Sequence, residues 1–347
     1  MRILVTGGSG FIGSALIRRA IQLGNSVINV DCLTYAASTM TSIKLEKNSL
    51  YKFENINICD KKKIDDIFNN YQPDAIIHLA AESHVDRSID GPKIFLETNI
   101  IGTYSLLEAT REYLRLNKKN KNDFRFIHVS TDEVYGSLGE TGYFTETSPY
   151  APSSPYSASK ASSDHLVQAW FETFDIPAIT TNCSNNYGPY QFPEKVIPLT
   201  ILNGIKDEPI QIYGTGKNVR DWLYVQDHAD ALLQILDKGR VGQKYNIGGN
   251  NEITNKNLIQ SICEKLDNKL PKIKSYKEQI VYVQDRPGHD MRYAINNQKV
   301  VSEIGWEPTI SFEKGLDQTI EWYLNNSDWW QPLFNKQQEF SRPGILQ

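Results

Sequence analysis

Two groups of residues in this sequence could do acid–base chemistry. The first is Thr131-Asp132-Glu133, at the end of the apolar run FRFIHVST. A hydroxyl and two adjacent carboxylates there could supply one proton and take another, provided their surroundings push the two pKa values apart. The second is Tyr156-Ser-Ala-Ser-Lys160. On a helix this spacing puts phenol and ammonium on one face, a turn apart. A phenol titrates near pKa ~10 in water and a nearby cation favours its phenolate, so Tyr156 could take a proton from a carbinol at neutral pH. Thr131 could hold the same hydroxyl. Once the carbinol is a ketone, the neighbouring carbon is acidic enough for Glu133 to deprotonate, and a protonated Asp132 could expel a hydroxyl one carbon further on. Successive strand residues point to opposite faces, so both carboxylates serve one substrate only if the chain turns at the strand end. Gly136 offers that turn.

Alternating strands and helices must position these groups. RILVT (2–6) is an apolar run ending in GGSGFIG, followed by apolar residues at helical spacing from Phe11. Gly7, Gly10 and Gly13 allow a tight turn and bring a helix N-terminus up to a pyrophosphate. A second strand, 26–30, ends in Asp31, at the distance where a carboxylate accepts from a ribose 2′-hydroxyl. No arginine follows in Cys32-Leu33-Thr34, so NAD is favoured over NADP. The alternation continues through strand 51–58, helix 61–70, strand 74–79, a long helix 93–117, strand 124–130, a helix from Tyr156 to about 174 and strand 178–183. It predicts a doubly wound parallel α/β sheet of Rossmann type.

Beyond residue 184 the texture turns rich in Asn, Gly and Pro. The chain of 347 residues is long for one core. It divides into a nucleotide-binding unit, 1–184, to which 221–250 returns, and a smaller α/β substrate unit, 185–347. Trp329 and Trp330, beyond a closing helix near 312–324, read as core anchors. A net charge of −4 and a pI near 5.9 exclude the basic field of nucleic-acid binders. The lysine runs at 61–63 and 118–121 read as solvated charge. The four cysteines lack C-x-x-C spacing, and the chain opens on an apolar strand, as expected of reduced thiols in a cytoplasm. No apolar run approaches the ~20 residues of a membrane span, and the histidines lack metal-ligand spacing.

With TGGSGFIG, AAESHVDRSI, STDEVYG, SPYSASKAS, NCSNNYGP, FPEKVIP, RDWLYV, YNIGG and DRPGHD in view, the sequence resembles the extended short-chain dehydrogenase/reductases, and within them the dTDP-glucose 4,6-dehydratases. The resemblance implies a lyase that oxidises C4 of dTDP-glucose, eliminates water across C5–C6 and returns hydride to C6, giving dTDP-4-keto-6-deoxyglucose. NAD would be tightly bound and regenerated each turnover. Tyr156 would be the base for the 4-hydroxyl, with Lys160 lowering its pKa and holding the ribose; Glu133 would be the C5 base and Asp132 the acid at C6. The resemblance places Phe11, Ile12, Asp31 to Thr34, Asn57, Ile58, Leu79, Ala80, Ala81, Ser83, Thr98 and Asn186 at the cofactor. Where the family commonly has Asp before Ile, this chain has Asn57, whose amide oxygen still accepts from an adenine amino group.

The same resemblance gives substrate contacts at Ser83, Thr131, Asn185, Lys195, Val196, Ile197, Pro198, Leu199, Thr200, Gln211, Ile212, Tyr213, Arg220, Asn255, Asp285, Arg286 and His289. Arg220 and Arg286 suit a diphosphate, which a guanidinium binds in bidentate fashion. The long helices 93–117 and 154–174 would form a homodimer. Left open are a dehydratase of a UDP- or other nucleotide sugar, a sugar-nucleotide 4-epimerase, and an NAD-sensing regulator.

Overall fold

A computed structural model describes residues 1–38, 45–117 and 123–339; the expected basic run at 118–121 lies outside them. Seven parallel strands form the main sheet: β1 (Arg2–Thr6), β2 (Ser26–Asp31), β3 (Tyr51–Asn55), β4 (Ala75–His78), β5 (Arg125–Thr131), β6 (Ala178–Cys183) and, late in the chain, β10 (Lys244–Ile247). Their order is β10-β6-β5-β4-β1-β2-β3. The order reverses between β1 and β4, and such a switch point leaves a crevice at the carboxyl ends of the strands. Strands buried on both faces need apolar residues throughout, which is why Leu4, Val5, Ile76, Ile77, Phe126 and Ile127 are all buried.

Helices cover both faces. α1 (Phe11–Gln22) and α8 (Val225–Lys238) pack together on one; α2 (Lys61–Tyr71), α5 (Thr103–Asn117) and α6 (Pro155–Phe174) cover the other. The expected strand 51–58 stops at Asn55, because Asn57 Oδ1 accepts the Cys59 N–H at 2.9 Å and turns the backbone into α2. The expected helix 93–117 is a composite of α4 (Pro92–Phe95), a π-helical stretch Leu96–Gly102 and α5, preceded by the short α3 (Val85–Asp90). The π stretch has a visible cause. Asn99 turns inward, accepting the Glu82 N–H and donating to the Glu82 carbonyl and Ser159 hydroxyl. Such wide turns recur at functional sites, and this one carries Thr98.

After β6 come β7 (Asn185–Tyr187), α7 (Val196–Ile205), β8 (Ile210–Tyr213), β9 (Val219–Tyr224), β11 (Glu252–Thr254), α9 (Asn255–Lys269), β12 (Ile280–Val283), α10 (Gln298–Ile304), α11 (Phe312–Asn325) and α12 (Ser327–Glu339). Two small sheets, β11-β9-β7 and β12-β8, share a second core with α7, α9 and α11, in which Trp329 and Trp330 are buried. The expected division needs two corrections. Residues 221–224 pair in the small sheet as part of β9, with Leu223 turned into the main-sheet core and Trp222 and Tyr224 into the second, and 298–306 join the main-sheet core, where Val300, Ile304 and Trp306 are buried. The edge strand β10 needs that cover, and the seven-residue α10 supplies it.

At the first turn Gly7 has φ +72°, and a Cβ there would stand 2.6 Å from the Ala80 nitrogen. Gly7→Ala should therefore cost about 2–4 kcal/mol, summing overpacking and a left-handed backbone. Urea unfolding measures it; a cost under about 1 kcal/mol would show that the β1 and β4 ends are not held this tightly.

Candidate active site

Strand β5 ends at Thr131 and the chain turns at once. Asp132–Tyr135 form a 3-10 turn capped by Thr131, whose hydroxyl accepts the Glu133 N–H at 3.3 Å. The turn closes at Gly136, φ +86°, where a Cβ would lie 2.4 Å from the Ala151 carbonyl oxygen. The carboxylates are thereby sent different ways. Glu133 faces the cavities at the sheet edge. Asp132 is 1% exposed, lies behind Thr131, and its Oδ2 has no partner among the described residues.

Their electrostatics differ accordingly. Burial pushes the Asp132 carboxyl well above the usual carboxylate range, and the charges of Glu133 and Asp221 push it further against a pull from Arg220. Burial raises Glu133 as well, but Arg286, Arg220 and Lys195 all pull it back. Glu133 is open to the cavity, not to bulk water. Asp132 is thus arranged to carry a proton and Glu133 to accept one.

Tyr156 reaches the same place from α6, its phenol beside the Thr131 hydroxyl. Burial and the Glu133 charge push its phenol well above the ordinary value, and only the Thr131 hydroxyl opposes them. The Lys160 ammonium expected to lower the phenol is not among the leading causes acting on Tyr156. That ammonium is turned onto the β5 backbone, donating to the Val129 carbonyl at 2.9 Å. Burial lowers the lysine pKa and Asp164, one turn on, opposes the fall. Asp164 is itself fully enclosed. It accepts from His128 and Ser130 at 2.9 Å, Tyr150 at 2.8 Å and Asn182 at 3.3 Å. Burial alone would raise its carboxyl; the His128 bond leads a group of donors and charges that lowers it instead.

Two cavities meet here. One runs along the carboxyl ends of β1, β2 and β4, with Gly7, Gly10, Phe11, Ile12, Gly13, Asp31, Cys32, Thr34, Asn57, Ile58, Leu79, Ala80, Ala81, Ser83, Thr98, Thr131, Tyr156, Lys160 and Asn186 in its wall. It fits a dinucleotide on two observations. A Cβ at Gly13 would stand 2.3 Å from the Gly7 carbonyl oxygen, so only glycine leaves the cradle open. Asp31 is held by the Ser9 and Leu33 N–H groups at 2.9 and 2.8 Å, at the end of β2. Burial raises the Asp31 carboxyl and these two bonds lower it. The other cavity, about 930 Å³, is walled by Ser83, Glu133, Asn185, Lys195, Val196, Leu199, Thr200, Gln211, Tyr213, Arg220, Asn255, Arg286 and His289. Arg220 lies 4.2 Å over the Tyr293 ring and donates to the Val219 and Asp290 carbonyls at 2.8 and 2.9 Å. Arg286 pairs with Asp86 at 3.1 Å. Two guanidinium groups beside an acid–base turn and a dinucleotide cradle describe a site for a diphosphate-bearing substrate.

The family model for GDP-mannose 4,6 dehydratase matches residues 4–319. The chain is 55% identical over 340 residues to the dTDP-glucose 4,6-dehydratase of Salmonella typhimurium, covering 95% of this chain and 94% of that one. The chain belongs to the dTDP-glucose 4,6-dehydratase family. Among solved structures it is similar to the dTDP-glucose 4,6-dehydratase of Bacillus anthracis, in complex with NAD (TM-score 0.86, 44% identity, 96% of this chain and 99% of that one). It is also similar to that of Streptomyces venezuelae, with NAD bound (TM-score 0.89, 40% identity, 96% and 100%).

Against the 4,6-dehydratase family pattern Asp132 lies behind both cavity walls, and the structure moves five further residues. Leu33 lines the larger cavity, not the dinucleotide one. Ile197 and Ile212 are buried in the second core, because α7 and β8 each turn one face inward, while Val196, Leu199, Thr200, Gln211 and Tyr213 face the cavity. Pro198 is buried within α7. Asp285 is in neither wall; its carboxylate accepts from His289 Nδ1 at 2.6 Å. Residues missed from sequence include Tyr35, His84, Arg87, Phe192, Glu194 and Tyr293. His84, Arg87, Phe192 and Glu194 sit in or beside the same motifs as Ser83 and Lys195, so closeness in sequence to those two was the available signal.

The raised Asp132 carboxyl sets a sign. Above about pH 4 an unfolded aspartate has lost its proton while the folded one keeps it, so stability falls as pH rises toward the folded pKa. Asp132→Asn removes that slope, and its stability relative to the parent should grow as pH rises. Asp164, with a depressed pKa, contributes stability that is present at neutral pH and lost in acid, so Asp164→Asn should be the less stable variant at neutral pH. Melting temperatures across pH check both; parallel curves for Asp132→Asn and parent would mean that Asp132 is ionised in the fold.

Proposed function

We propose that this chain is a dTDP-glucose 4,6-dehydratase, converting dTDP-glucose to dTDP-4-keto-6-deoxyglucose with NAD as cofactor. The observation that carries the reading is the β5 turn, where a buried Asp132, its carboxyl pushed above the usual range by burial, and a cavity-facing Glu133 stand beside Tyr156. An epimerase needs the tyrosine but has no use for an acid and a base at the strand end, and an NAD sensor needs none of the three.

Gly7, Gly10, Gly13, Asp31 and Lys160 would hold NAD, with the carboxylate on a ribose. When bound, NAD supplies a hydride acceptor at C4, a donor at C6, and the positive charge that favours a tyrosinate. Tyr156 takes the proton of the 4-hydroxyl, and Thr131, beside Tyr156, orients that hydroxyl. Glu133 removes the C5 proton, which the C4 ketone has made acidic. Asp132 gives its proton to the leaving 6-hydroxyl, and C5 later takes a proton back. Arg220 and Arg286 neutralise the diphosphate, with Lys195, Asn185 and Asn255 nearby in the wall. A positioned base or acid of this kind contributes about 10² to 10⁴ in rate.

Redox balance supplies the test. Loss of water leaves a ketone at C4 and a methyl carbon at C6 without external reductant, so substrate deuterated at C4 should give product labelled at C6 of the same molecule. Mass spectrometry reads the position. Label returned to C4 would mean epimerisation; label lost to free NADH would mean simple oxidation. Repeating the assay with UDP- and GDP-glucose tests the base.

The same reading includes a homodimer. Ile94 (48% exposed), Leu96 (46%), Ile101 (51%) and Tyr104 (42%) are exposed apolar side chains along α4, the π stretch and α5, and an apolar strip of this kind would mark an association surface. Light scattering at micromolar concentration should give the dimer mass; a monomer would leave the strip unexplained. Among the described residues no helix is long and apolar enough to cross a membrane, and all four cysteines are free, one of them exposed, which suits a reducing cytoplasm.

A further inference from the structure

The wall between the two cavities contains a set of contacts that none of the steps above uses. Glu194 is nearly buried, its side chain 7% exposed. Its Oε1 accepts from the Tyr35 hydroxyl at 2.9 Å, and its Oε2 lies 3.8 Å from His84 Nε2 and 4.0 Å from Arg87. The Arg87 guanidinium in turn stacks 3.6 Å over the Tyr35 ring, whose other contact is edge-on to Phe192 at 5.5 Å. Three loops are joined by these contacts. Tyr35 follows β2, His84 and Arg87 follow β4, and Phe192 and Glu194 follow β7.

We propose that Tyr35, Arg87 and Glu194 form a clasp that keeps NAD in place from C4 oxidation to C6 reduction. The inference rests on the function proposed above. Phe192 and Glu194 line both cavities, so the clasp stands where the cofactor cavity opens toward the substrate cavity. It also fastens the loop that follows Asp31, the residue placed at the ribose, to a loop on the far side of the crevice. A dehydrogenase that releases its reduced cofactor each turnover gains nothing from such a fastening. A reaction that must deliver the same hydride two carbons away loses its product if the reduced cofactor escapes midway. The three side chains act through the cofactor's confinement and touch no reacting atom, so they are positioning residues.

The test measures retention of nucleotide. Parent, Tyr35→Phe and Glu194→Ala proteins are loaded with NAD and freed of excess by gel filtration, and the NAD that remains is extracted and followed with time. Tyr35→Phe keeps the Arg87 stack and the Phe192 contact, so its fold is preserved. A hydrogen bond to a charged group corresponds to roughly tenfold in an equilibrium. Tyr35→Phe should therefore release NAD about tenfold faster than the parent, with Glu194→Ala faster still. With dTDP-glucose added, both variants should leave reduced nicotinamide in the protein-free filtrate, and the parent should leave none. If Tyr35→Phe and parent release NAD at the same rate, the clasp is overturned, even where Glu194→Ala leaks. A change confined to the Michaelis constant for the sugar nucleotide overturns it also, since the contacts then shape the substrate cavity only. A parent that takes up no NAD would overturn the proposed function together with the clasp; a parent that holds NAD while the variants match it sinks the clasp alone.

Discussion

A carboxylate with no water around it governs the layout of this site. Asp164 lies within α6 and is enclosed among His128, Ser130, Tyr150 and Asn182, all of which donate to it or share a proton with it. An ion in such a place is tolerated only when its lone pairs are satisfied and a counter-charge is near, and removing one partner of a buried pair costs about 3–5 kcal/mol. The counter-charge is Lys160, one turn earlier on the same helix. Because three of the donors, His128, Ser130 and Asn182, come from β5 and β6, satisfying Asp164 fixes the rotation of α6 against the sheet. That rotation puts Tyr156 beside Thr131. The catalytic geometry is thus a by-product of solving a desolvation problem.

A similar economy separates the two carboxylates. Neighbours in sequence would repel each other on a flat strand end and titrate as a coupled pair. Turning the chain through a 3-10 step at Asp132 places one carboxyl under the sheet edge, where desolvation raises its pKa, and the other in reach of Arg286, Arg220 and Lys195. The second core contributes the charges. Arg220 and Asp221 are neighbours on β9, and their opposite effects on Asp132 come from the part of the chain that walls the substrate cavity. Joining the two cores therefore completes the acid–base pair as well as enclosing the cavity.

Most of the large sheet was legible because parallel strands buried on both faces leave continuous apolar runs, and the glycines and Asp31 sit at spacings fixed by one turn of backbone. What escaped was decided by contacts distant in sequence. The π stretch at Leu96–Gly102 forms because Asn99 bonds to Glu82 and Ser159, and no local propensity announces it. The return of 298–306 to the main core follows from the exposed edge of β10, which appears only once strand order is known. Within the site, chemistry-bearing types such as Tyr156, Glu133 and Arg220 were readable. Ile197, Pro198 and Ile212 were carried along as neighbours in a motif, and the side-chain alternation of α7 and β8 turned them away.

Lys160 shows where motif and physics part. Spacing alone makes it a neighbour of Tyr156, and a neighbouring ammonium should depress a phenol. Its Nζ instead donates to the Val129 carbonyl, and its charge is matched by Asp164. The phenol is left with a raised pKa whose causes are burial and the Glu133 charge. For Tyr156 to serve as a base, positive charge must arrive at the open side of the pocket, which is the side walled by the dinucleotide cradle. An oxidised nicotinamide is cationic and a reduced one is neutral. The phenol's pKa would therefore be lowest before hydride transfer and higher after it, so the tyrosine would hold the 4-hydroxyl proton while the 4-ketone persists, and Glu133 and Asp132 act in that interval.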